Sequence, residues 1–467
     1  MTGAPTVLVM AKTPRPGRVK TRLHPLLGPD GCARLQAQLL ANTVTTALGS
    51  QRRVVVAFDP PSAQAEVRAL TGGQVELLPQ RGGNLGERMT AAADDALPGG
   101  GPLVVIGTDA PTLTADMIVQ AFTVLDSGSA AAIGPALDGG YYLLAVHWPH
   151  PAAFAIDPAL WSGPHVMAAT VSRLRRAGRV ELLPALRDLD TPEDAAALLA
   201  DPELPDAVAK ALLPTTGVGM TNATVSIVMP TLNEAAGIVP ALTRLGRDFP
   251  DIEIVVVDGG STDGTADLAA GFAKVVGCEP GRGRQLNTGA QAAGGEVLWF
   301  VHADTVIDPA ALDGIRRALD DADVVGGGLT LRFDHDTIGL RFLAWSSNQR
   351  ARRLGQIFGD QAMFVRRTVF DVLGGFPDYP LMEDFEFSRR LHKTGRLAVL
   401  TATSTASARR FQAHGTWRMI AFMQIIKIRY LLGASPETLR RSYTAGPPSL
   451  RNLSSARSSR AKGSVLR

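Results

Sequence analysis

The sequence of 467 residues contains only two cysteines, Cys32 and Cys278, which lie far apart in the chain. Two isolated thiols form neither a disulfide framework nor the paired spacing of a zinc site, so we expect a reducing compartment. A signal segment is absent as well, because the apolar run at residues 7–10 is too short to form one. These absences predict a cytoplasmic protein.

Long apolar runs are also missing. The longest stretch near the end, residues 419–433, is interrupted by Lys427 and Arg429. It is shorter than the roughly 20 residues that a membrane span needs. The stretch therefore predicts either a packed amphipathic helix or a helix that lies on a membrane surface, in which case the protein is peripheral at the inner face of the cell membrane.

Charge is low, with 19% charged residues and a formal net charge of +3. Residues 440–467 contain six Arg, one Lys and no acid, so the remaining chain is net negative. This distribution argues against a nucleic-acid-binding surface. Residues 436–467 lack apolar periodicity and predict a basic, disordered tail.

The length predicts two domains, because one hydrophobic core rarely serves so long a chain. Short β-branched runs alternate with Ala/Leu-rich helical segments, which is typical of a parallel sheet covered by helices. Pro, Thr and Gly accumulate where this alternation fails. We therefore predict domains over residues 1–205 and 224–435, joined by a linker over 206–223. Both halves begin with a similar strand and loop, which suggests two copies of one architecture.

Polar residues follow the predicted strands of the second half. The first strand is followed by Pro230, Thr231, Asn233 and Glu234, where open α/β sheets bind ligands. The next strand ends at Asp258, which can accept hydrogen bonds from a ribose or a uracil-like edge. Asp263 lies near a helix start, and capping is an alternative role for both acids. These six residues are the candidate donor site.

Two further acidic stretches complete the candidate site. The apolar run ending at residue 301 is followed by His302 and Asp304. A carboxylate there can hold a divalent cation across the two phosphates of a nucleotide sugar, and His302 is a second candidate ligand. Glu383 and Asp384 begin a helical pattern. A transferase needs a base for the acceptor hydroxyl, and we predict Asp384 in that role with Glu383 beside it.

The order of these motifs, MPTLNE, DGGSTDGT, HAD and ED, resembles that of family 2 glycosyltransferases. The resemblance covers about residues 224–435 and implies a GT-A fold, inversion at the anomeric carbon and Mg²⁺ or Mn²⁺. GRGRQLNTGAQAAGGEVLWFVHADT, GDQAMFVRR and SARRFQAHGTW are similar to the arsenosugar-biosynthesis or rSAM/selenodomain-associated glycosyltransferases. Carotenoid-acid glucosyltransferases of the diaponeurosporenoate type are also similar. His302 stands where the DxD motif of the wider family has its first acid. The QxxRW motif of that family is matched only weakly, by RRFQAHGTW.

Two glycine-containing stretches extend this prediction. Arg282 and Arg284 lie on a glycine-rich turn before a predicted helix and are candidates to clamp the diphosphate. We then expect Gly359, Asp360 and Gln361 to face the sugar or the acceptor. The expected acceptor is a small molecule or a lipid-like molecule, with a carotenoid acid or another membrane lipid as the alternative.

The first half concentrates cations in a loop after its opening strand. Such a loop can wrap a triphosphate, although the spacing is not that of a Walker loop, and a solvated basic loop is the alternative. The cations are Lys12, Arg15, Arg18, Lys20 and Arg22. Acids follow later strands, and two such acids can share a metal ion while capping explains part of the pattern. These acids are Asp109, Asp138, Asp188 and Asp190.

Residues 5–205 resemble the rSAM/selenodomain-associated transferase 1 family, which is similar to molybdenum-cofactor nucleotidyltransferases and 2-phospholactate guanylyltransferases. The resemblance implies NTP-dependent nucleotidyl transfer, with Lys20 and Arg22 on phosphates and Asp109 on the cation. KTPRPGRVKTRL replaces the GGxSxRMG loop of that superfamily. The predicted fold class is thus two tandem three-layer α/β/α Rossmann-like domains of the nucleotide-diphospho-sugar transferase (GT-A) type. We expect the first half to make or bind an activated sugar nucleotide, or alternatively to serve as a non-catalytic nucleotide-binding or docking module. We expect the second half to transfer the sugar.

Overall fold

A computed structural model describes residues 3–150, 153–161, 163–213, 220 and 222–447. The chain divides into two compact units, Met1–Thr215 and Thr216–Arg467. The first unit contains one seven-stranded sheet and the second contains one eight-stranded sheet.

The first unit alternates strands and helices along most of its length. Its strands are β1 (Thr6–Lys12), β2 (Arg53–Asp59), β3 (Glu76–Pro79), β4 (Gly101–Ile106), β5 (Ala131–Pro135), β6 (Tyr141–Trp148) and β7 (Val180–Leu182). Its helices are α1 (His24–Gly49), α2 (Gln64–Thr71), α3 (Leu85–Ala96), α4 (Ala115–Asp126), α5 (Val166–Leu174), α6 (Pro192–Ala200) and α7 (Asp206–Ala211).

The sheet of the first unit has the order β3-β2-β1-β4-β6-β5-β7 and is covered on both faces. Alternate strand residues point to opposite faces. Val7 and Val9 accordingly pack with α1 and α4 residues such as Leu40 and Phe122, whereas Leu8 packs with residues of α3 and α5. Two apolar cores thus enclose one sheet in a three-layer arrangement.

The second unit follows a similar alternation. Its strands are β8 (Val225–Thr231), β9 (Glu253–Asp258), β10 (Lys274–Gly277), β11 (Val297–Phe300), β12 (Val306–Ile307), β13 (Val324–Phe333), β14 (Phe364–Arg366) and β15 (Arg396–Ala406). Its helices are α8 (Ala235–Asp248), α9 (Thr265–Ala269), α10 (Arg282–Ala292), α11 (Ala311–Leu319), α12 (Ile338–Leu354), α13 (Arg367–Val372), α14 (Glu383–Thr394), α15 (Arg409–His414), α16 (Thr416–Leu431) and α17 (Pro436–Ala445).

The sheet of the second unit has the order β10-β9-β8-β11-β14-β13-β15-β12. Helices α8 and α11 pack on one face, where Trp299 is fully buried. Helix α10 packs on the other face at Gly289, where a Cβ atom would lie 2.3 Å from Cγ1 of Val228. The two sheets share their arrangement, because in each the first four strands lie in the order third, second, first, fourth and are followed by one antiparallel strand.

The sheets differ from the prediction in one respect, because they are mixed rather than parallel. Strand β6 runs antiparallel to β4 and β5, and β14 runs antiparallel to β11 and β13. A tight turn causes the reversal in the first unit, where the N–H of Gly140 donates to Oδ1 of Asp138 at 2.8 Å. Strand β12 also runs antiparallel, to its neighbour β15.

Two stretches that the sequence predicts to be irregular contain helices. Helix α7 begins the predicted linker, and Val208 in it is fully buried. Helix α17 occupies the start of the predicted disordered tail, where Leu439 is fully buried and the ring of Tyr443 stacks on that of Phe422. A Ser435 cap starts this helix by accepting a hydrogen bond from the N–H of Thr438. Residues 214–219, 221 and 448–467 lie outside the described residues.

Candidate functional site

Three distant stretches of the second unit meet at one edge of its sheet. Strand β8 pairs in parallel with β9 and with β11, so the three strands end on the same side. The residues that follow them are Asn233 and Glu234, then Gly259 onward, and then His302 and Asp304. This edge is where the sequence predicts a donor site.

The loops after β8 and β9 are tied together by side-chain hydrogen bonds. Asn233 adopts a left-handed conformation with φ of 56°, and its Oδ1 accepts from the N–H of Thr262 at 2.9 Å. Asp263 accepts from the N–H of Ala235 at 3.0 Å and from the hydroxyl of Thr265 at 2.5 Å. Asp263 therefore joins the start of α8 to that of α9, which is the capping role that the sequence left open.

Asp258 is buried at the end of β9. Its Oδ2 accepts from the N–H groups of Gly260 and Ser261 at 3.0 and 2.8 Å, and its Oδ1 accepts from the Ser261 hydroxyl at 2.5 Å. Thr231 is also buried, whereas Pro230 is half-buried. Protein donors thus hold both oxygens of Asp258 in place, and a ribose or a base would use the acceptor capacity that remains on Oδ1.

Asp304 lies exposed beyond the end of β11. The Asp304 carboxylate acts electrostatically on Glu234. Burial raises the pKa of Glu234, the Asp304 carboxylate raises it further, and Arg409 lowers it. His302, two residues before Asp304, has its pKa lowered to about 3 by burial and by the cation of Arg282. A neutral imidazole and two neighbouring carboxyl groups therefore face this part of the site.

Asp384 lies at the start of α14, directly beside the turn at Gly359. The N–H of Gly359 donates to Oδ2 of Asp384 at 2.9 Å, and the N–H of Phe385 donates to its Oδ1 at 2.7 Å. A Cβ atom on Gly359 would lie 2.9 Å from Nε2 of His302 and 3.5 Å from Oδ2 of Asp384. The structure therefore brings His302, Gly359 and Asp384 into one site.

Glu383 is buried beside Asp384. Burial and the Asp384 charge raise the pKa of Glu383 to about 7, against the opposing effect of Arg282. The Nε of Arg282 lies 3.8 Å from Oε1 of Glu383. The charge of Arg282 also lowers the pKa of His302. This mostly exposed guanidinium therefore lies near both acidic stretches of the site.

Asp360 and Arg350 lie within electrostatic range of each other and of Asp384. Burial raises the pKa of Asp360 to about 6, with Arg350 opposing and Asp384 reinforcing the shift. One oxygen of Asp360 and one nitrogen of Arg350 are buried without a hydrogen-bond partner. The guanidinium of Arg350 lies 4.0 Å from the ring centroid of Phe358, and Nζ of Lys427 lies 5.7 Å from it.

Two predicted residues are placed elsewhere than expected. Gln361 is fully buried, and its amide donates to the carbonyl of Leu329 at 3.3 Å, so it does not face a sugar. Arg284 pairs with Glu279 at 2.6 Å and with Asp378 at 2.7 Å. Two carboxylates thus already neutralise Arg284, which leaves Arg282 as the cation directed toward the site.

A salt-bridge cluster forms the corresponding region of the first unit. The side chain of Lys20 is 4% exposed, and its Nζ lies 2.7 Å from Oδ1 of Asp109 and 3.0 Å from Oδ1 of Asp190. It also donates to the carbonyl of Leu189 at 2.6 Å. Burial lowers the pKa of Lys20, but the two carboxylates outweigh it and the net shift is upward. Lys20 therefore contacts carboxylates in this structure, and its predicted contact with a phosphate stays a prediction.

Asp188 completes this cluster. Burial raises the pKa of Asp188 to about 7, and the charges of Asp138, Asp109 and Asp190 contribute, while Lys20 opposes. One Asp188 oxygen is buried without a hydrogen-bond partner. Asp188 therefore lies within electrostatic range of the three other acids that the sequence singled out.

The cationic loop of the first unit is only partly available to a ligand. Arg15 pairs with Glu66 at 2.6 Å, whereas Lys12, Arg18 and Arg22 are exposed. Lys12 lies near Asp109, since its charge helps to lower the pKa of that carboxyl against the effect of burial. The exposed cations and the acidic cluster therefore share one end of the sheet.

Among the residues that the structure describes, no three His, Cys, Asp or Glu side chains are arranged to hold a metal ion by themselves. Sequence reasoning missed three cations near the site, namely Arg350, Arg409 and Lys427. Arg409 lies in the quoted stretch SARRFQAHGTW, but nothing in the local sequence around Arg350 or Lys427 indicates a role, because both reach the site only through the packing of α12 and α16.

Two family models match the chain, one in each unit. Residues 40–162 match the family described as "Uncharacterized protein conserved in bacteria (DUF2064)", and residues 226–373 match "Glycosyl transferase family 2". The predicted fusion of two domains is thereby confirmed, and together with the two mixed α/β sheets it supports the predicted fold class. Glu383 and Asp384 lie beyond the end of the second match, so their roles depend on the geometry alone.

Relatives that are named as glycosyltransferases match part of the chain. A "PGL/p-HBAD biosynthesis glycosyltransferase" of Mycobacterium bovis is 31% identical over 186 residues, which cover 35% of this chain and 68% of that protein. The glycosyltransferase AglE of Haloferax volcanii is 26% identical over 171 residues, or 33% and 56% of the two chains. A protein assigned as a nucleotide-diphospho-sugar transferase from Desulfovibrio desulfuricans G20 has 31% identity and a TM-score of 0.39, covering 42% of this chain and 86% of that one.

Proposed function

The chain belongs to the family 2 glycosyltransferases, and we propose that its second unit transfers a sugar from a nucleotide-diphosphate sugar to a small-molecule or lipid-like acceptor, with inversion. The observation that carries this proposal is the meeting of His302, Gly359 and Asp384 at the edge that also presents Asp304. A transferase needs a place for the leaving diphosphate beside a base, and this arrangement supports both.

Asp304 is the proposed metal ligand, with Glu234 and His302 beside it. Mg²⁺ and Mn²⁺ favour oxygen ligands, and Mg²⁺ sites commonly combine one or two carboxylates with substrate phosphates. When bound, the cation supplies positive charge that stabilises the departing diphosphate.

Asp384 is the proposed base for the acceptor hydroxyl. Its two backbone hydrogen bonds fix the direction of the carboxylate while leaving lone pairs on both oxygens. Arg282, at the start of α10, is proposed to contact the donor phosphates. Attack on the anomeric carbon from the side of Asp384, opposite the diphosphate, inverts the configuration at that carbon.

A donor screen followed by product analysis tests this proposal. The full-length protein is incubated with Mn²⁺ and a panel of UDP-, GDP-, dTDP- and CDP-sugars, and its thermal unfolding is followed, because a ligand that binds only the folded state raises apparent stability. The donor that stabilises the protein is then supplied with candidate acceptors, and NMR determines the anomeric configuration. A product with retained configuration contradicts the proposed single displacement.

For the first unit, we propose that it binds a nucleoside triphosphate and transfers the nucleotidyl group to the phosphate of a sugar 1-phosphate, with the β- and γ-phosphates leaving as pyrophosphate. Two observations support this function. Asp109, Asp188 and Asp190 cluster around Lys20, and such carboxylates can share a metal ion. Lys12 and Arg22 are exposed on the neighbouring loop, where they can contact phosphates. The full-length protein with Mg²⁺, each NTP and sugar 1-phosphates should release pyrophosphate. If it binds nucleotide but releases none, the unit is a docking module instead.

A further inference from the structure

Helices α12 and α16 expose apolar side chains that a folded surface normally buries. The side chains of Ile338 and Leu432 are 78% and 81% exposed, and the others are between 45% and 62% exposed. We call this set the α12–α16 face; it consists of Ile338, Phe342, Trp345, Trp417, Ile425, Ile428, Leu431 and Leu432. Exposed apolar groups are ordinary when scattered, but a contiguous set marks an interaction surface.

The spacing of these residues shows that each helix turns one face outward. On α12 the exposed residues recur at intervals of four and three, as the period of a helix requires. On α16 the residues Met419, Phe422 and Ile426 are buried on the inner face, whereas Ile425 and Ile428 point outward. Helix α16 is therefore apolar on two sides, and the described residues cover one of them.

Aromatic contacts join the two helices into one surface. The ring of Phe342 lies 6.0 Å from that of Trp345 and 5.7 Å from that of Trp417 on α16. Tryptophan is favoured at the boundary between lipid and water because its ring is apolar and its N–H is polar. None of the helices in the described part of the chain combines the length and the apolar character that crossing a bilayer requires.

The charge of these helices identifies the occupant. Residues 338–354 contain four Arg and no acid, and residues 409–436 contain four Arg, one Lys and no acid. Asp336 pairs with Arg341, and Arg350, Arg409 and Lys427 lie toward the candidate site. Arg352, Arg353 and Arg410 are exposed on these segments. An anionic surface complements this arrangement, whereas a second copy of the chain would bring two cation-rich faces together.

We propose that the α12–α16 face binds the headgroup region of an anionic lipid bilayer, with α16 lying along the surface. The exposed side chains enter the boundary between headgroups and acyl chains while the cations contact anionic lipid phosphates. This binding does not require the proposed transfer reaction.

The buried side of α16 connects this surface to the candidate active site. Met382 and Phe385, which flank Glu383 and Asp384, pack against Met419 and Phe422 of α16. The hydroxyl of Tyr430 on α16 also donates to Glu386 of α14 at 2.9 Å. A bilayer at the outer side of α16 would lie close to Asp384, so an acceptor presented from the membrane is favoured; this last step rests on the proposed function.

Vesicle binding by the full-length protein tests the proposal. The variant carries Ile428→Ser, Leu431→Ser and Leu432→Ser, at sites that are 55% to 81% exposed. Its control carries Leu137→Ser, Leu268→Ser and Phe272→Ser, at apolar sites that are 43% to 59% exposed. Sedimentation is measured with phosphatidylcholine vesicles and with vesicles that contain about 30% phosphatidylglycerol. Circular dichroism and thermal unfolding show that both proteins are folded.

We expect the wild type and the control to bind only the anionic vesicles, with binding that weakens at high salt. The triple variant should bind at least about tenfold more weakly, because three apolar side chains no longer leave water. Trp417→Phe should reduce the quenching of tryptophan fluorescence by brominated lipid.

Three results would overturn the proposal. The first is equal binding to neutral and anionic vesicles, and the second is unchanged binding by the triple variant. The third is a wild-type dimer in sedimentation velocity that becomes a monomer in the triple variant, which would make this face an interface between two copies of the chain. Donor binding in solution with Mn²⁺ should be the same in the triple variant and the wild type. Failure of donor binding in the wild type would instead count against the proposed function.

Discussion

The backbone N–H of Gly359 donates a hydrogen bond of 2.9 Å to Oδ2 of Asp384, a residue 25 positions later in the chain. The same glycine leaves just enough room for the imidazole of His302, since a Cβ atom there would lie 2.9 Å from its Nε2. This contact therefore joins the turn before β14, the start of α14 and the segment after β11. The proposed metal ligand and the proposed base depend on this junction for their relative positions.

The substitution Asp384→Asn should nearly abolish transfer, because an amide cannot accept the acceptor's proton. We expect transfer to fall by about 10²- to 10⁴-fold while donor affinity is nearly unchanged. The exposed residue Asp313 provides the control, and Asp313→Asn should transfer at the wild-type rate. Turnover assays and calorimetric donor titration separate the two effects. Normal turnover by Asp384→Asn would remove the residue from its proposed role.

Gly359→Ala should disturb the site through a steric effect. The added methyl group must displace His302 or the turn, so we expect transfer to fall by about tenfold or more while the fold is retained. Gly237→Ala is the matched control, because no atom lies within 4 Å of its added Cβ. That control should leave activity unchanged. Equal activity of the two alanine variants would show that the contact is irrelevant to catalysis.

Lys20→Met should destabilise the first unit. It removes an ammonium group that is held by two carboxylates and a carbonyl, and we expect a loss of about 1–3 kcal/mol in the free energy of unfolding. The half-exposed carboxylates can regain water, so the loss stays below that of a fully buried pair. Lys210→Met, at an exposed position on α7, is the control. Denaturant unfolding of the two variants should differ clearly, and equal midpoints would contradict this account.

The buried carboxyl of Asp188 should make stability depend on pH. Its pKa is raised from 3.8 to about 7, so between these pH values the unfolded chain releases a proton that the folded chain keeps. The free energy of unfolding therefore falls as pH rises from about 4 to about 7. Asp188→Asn should remove this slope and be the more stable protein at pH 8, by up to about 4 kcal/mol. Thermal unfolding across this range, with exposed Asp126→Asn as control, measures the effect; identical slopes would contradict it.

Most strands could be predicted from sequence because their apolar runs are local. The runs at 225–229 and 252–258, for example, correspond to β8 and β9. Strand β14 was missed because it has only three residues, and its direction depends on pairing with two distant strands. Strand β6 was missed despite its apolar pattern, and the hairpin turn at Asp138 makes it antiparallel.

The candidate site was predictable where a carboxylate follows a strand, as at Asp258 and Asp304. What each side chain contacts was less predictable. Lys20 looked like a phosphate ligand because its loop is basic, but Asp109 and Asp190 arrive from strands and loops far along the chain. Gln361 was expected to face the sugar or the acceptor, and in the structure it is buried with its amide donating to Asn348 of α12. Arg350 and Lys427 carry no local signal because tertiary packing alone brings them to Phe358.

Nucleotide binding by the Asp304→Asn variant tests the central claim most directly. Calorimetry measures the affinity of UDP, GDP, dTDP and CDP for the full-length wild type and for Asp304→Asn, each with Mn²⁺ and with EDTA. We predict that at least one diphosphate binds the wild type only with Mn²⁺, and that Asp304→Asn weakens this binding by about tenfold or more. Equal binding with Mn²⁺ and EDTA, or equal binding by the two proteins, would contradict the claim that Asp304 holds a cation at the diphosphate.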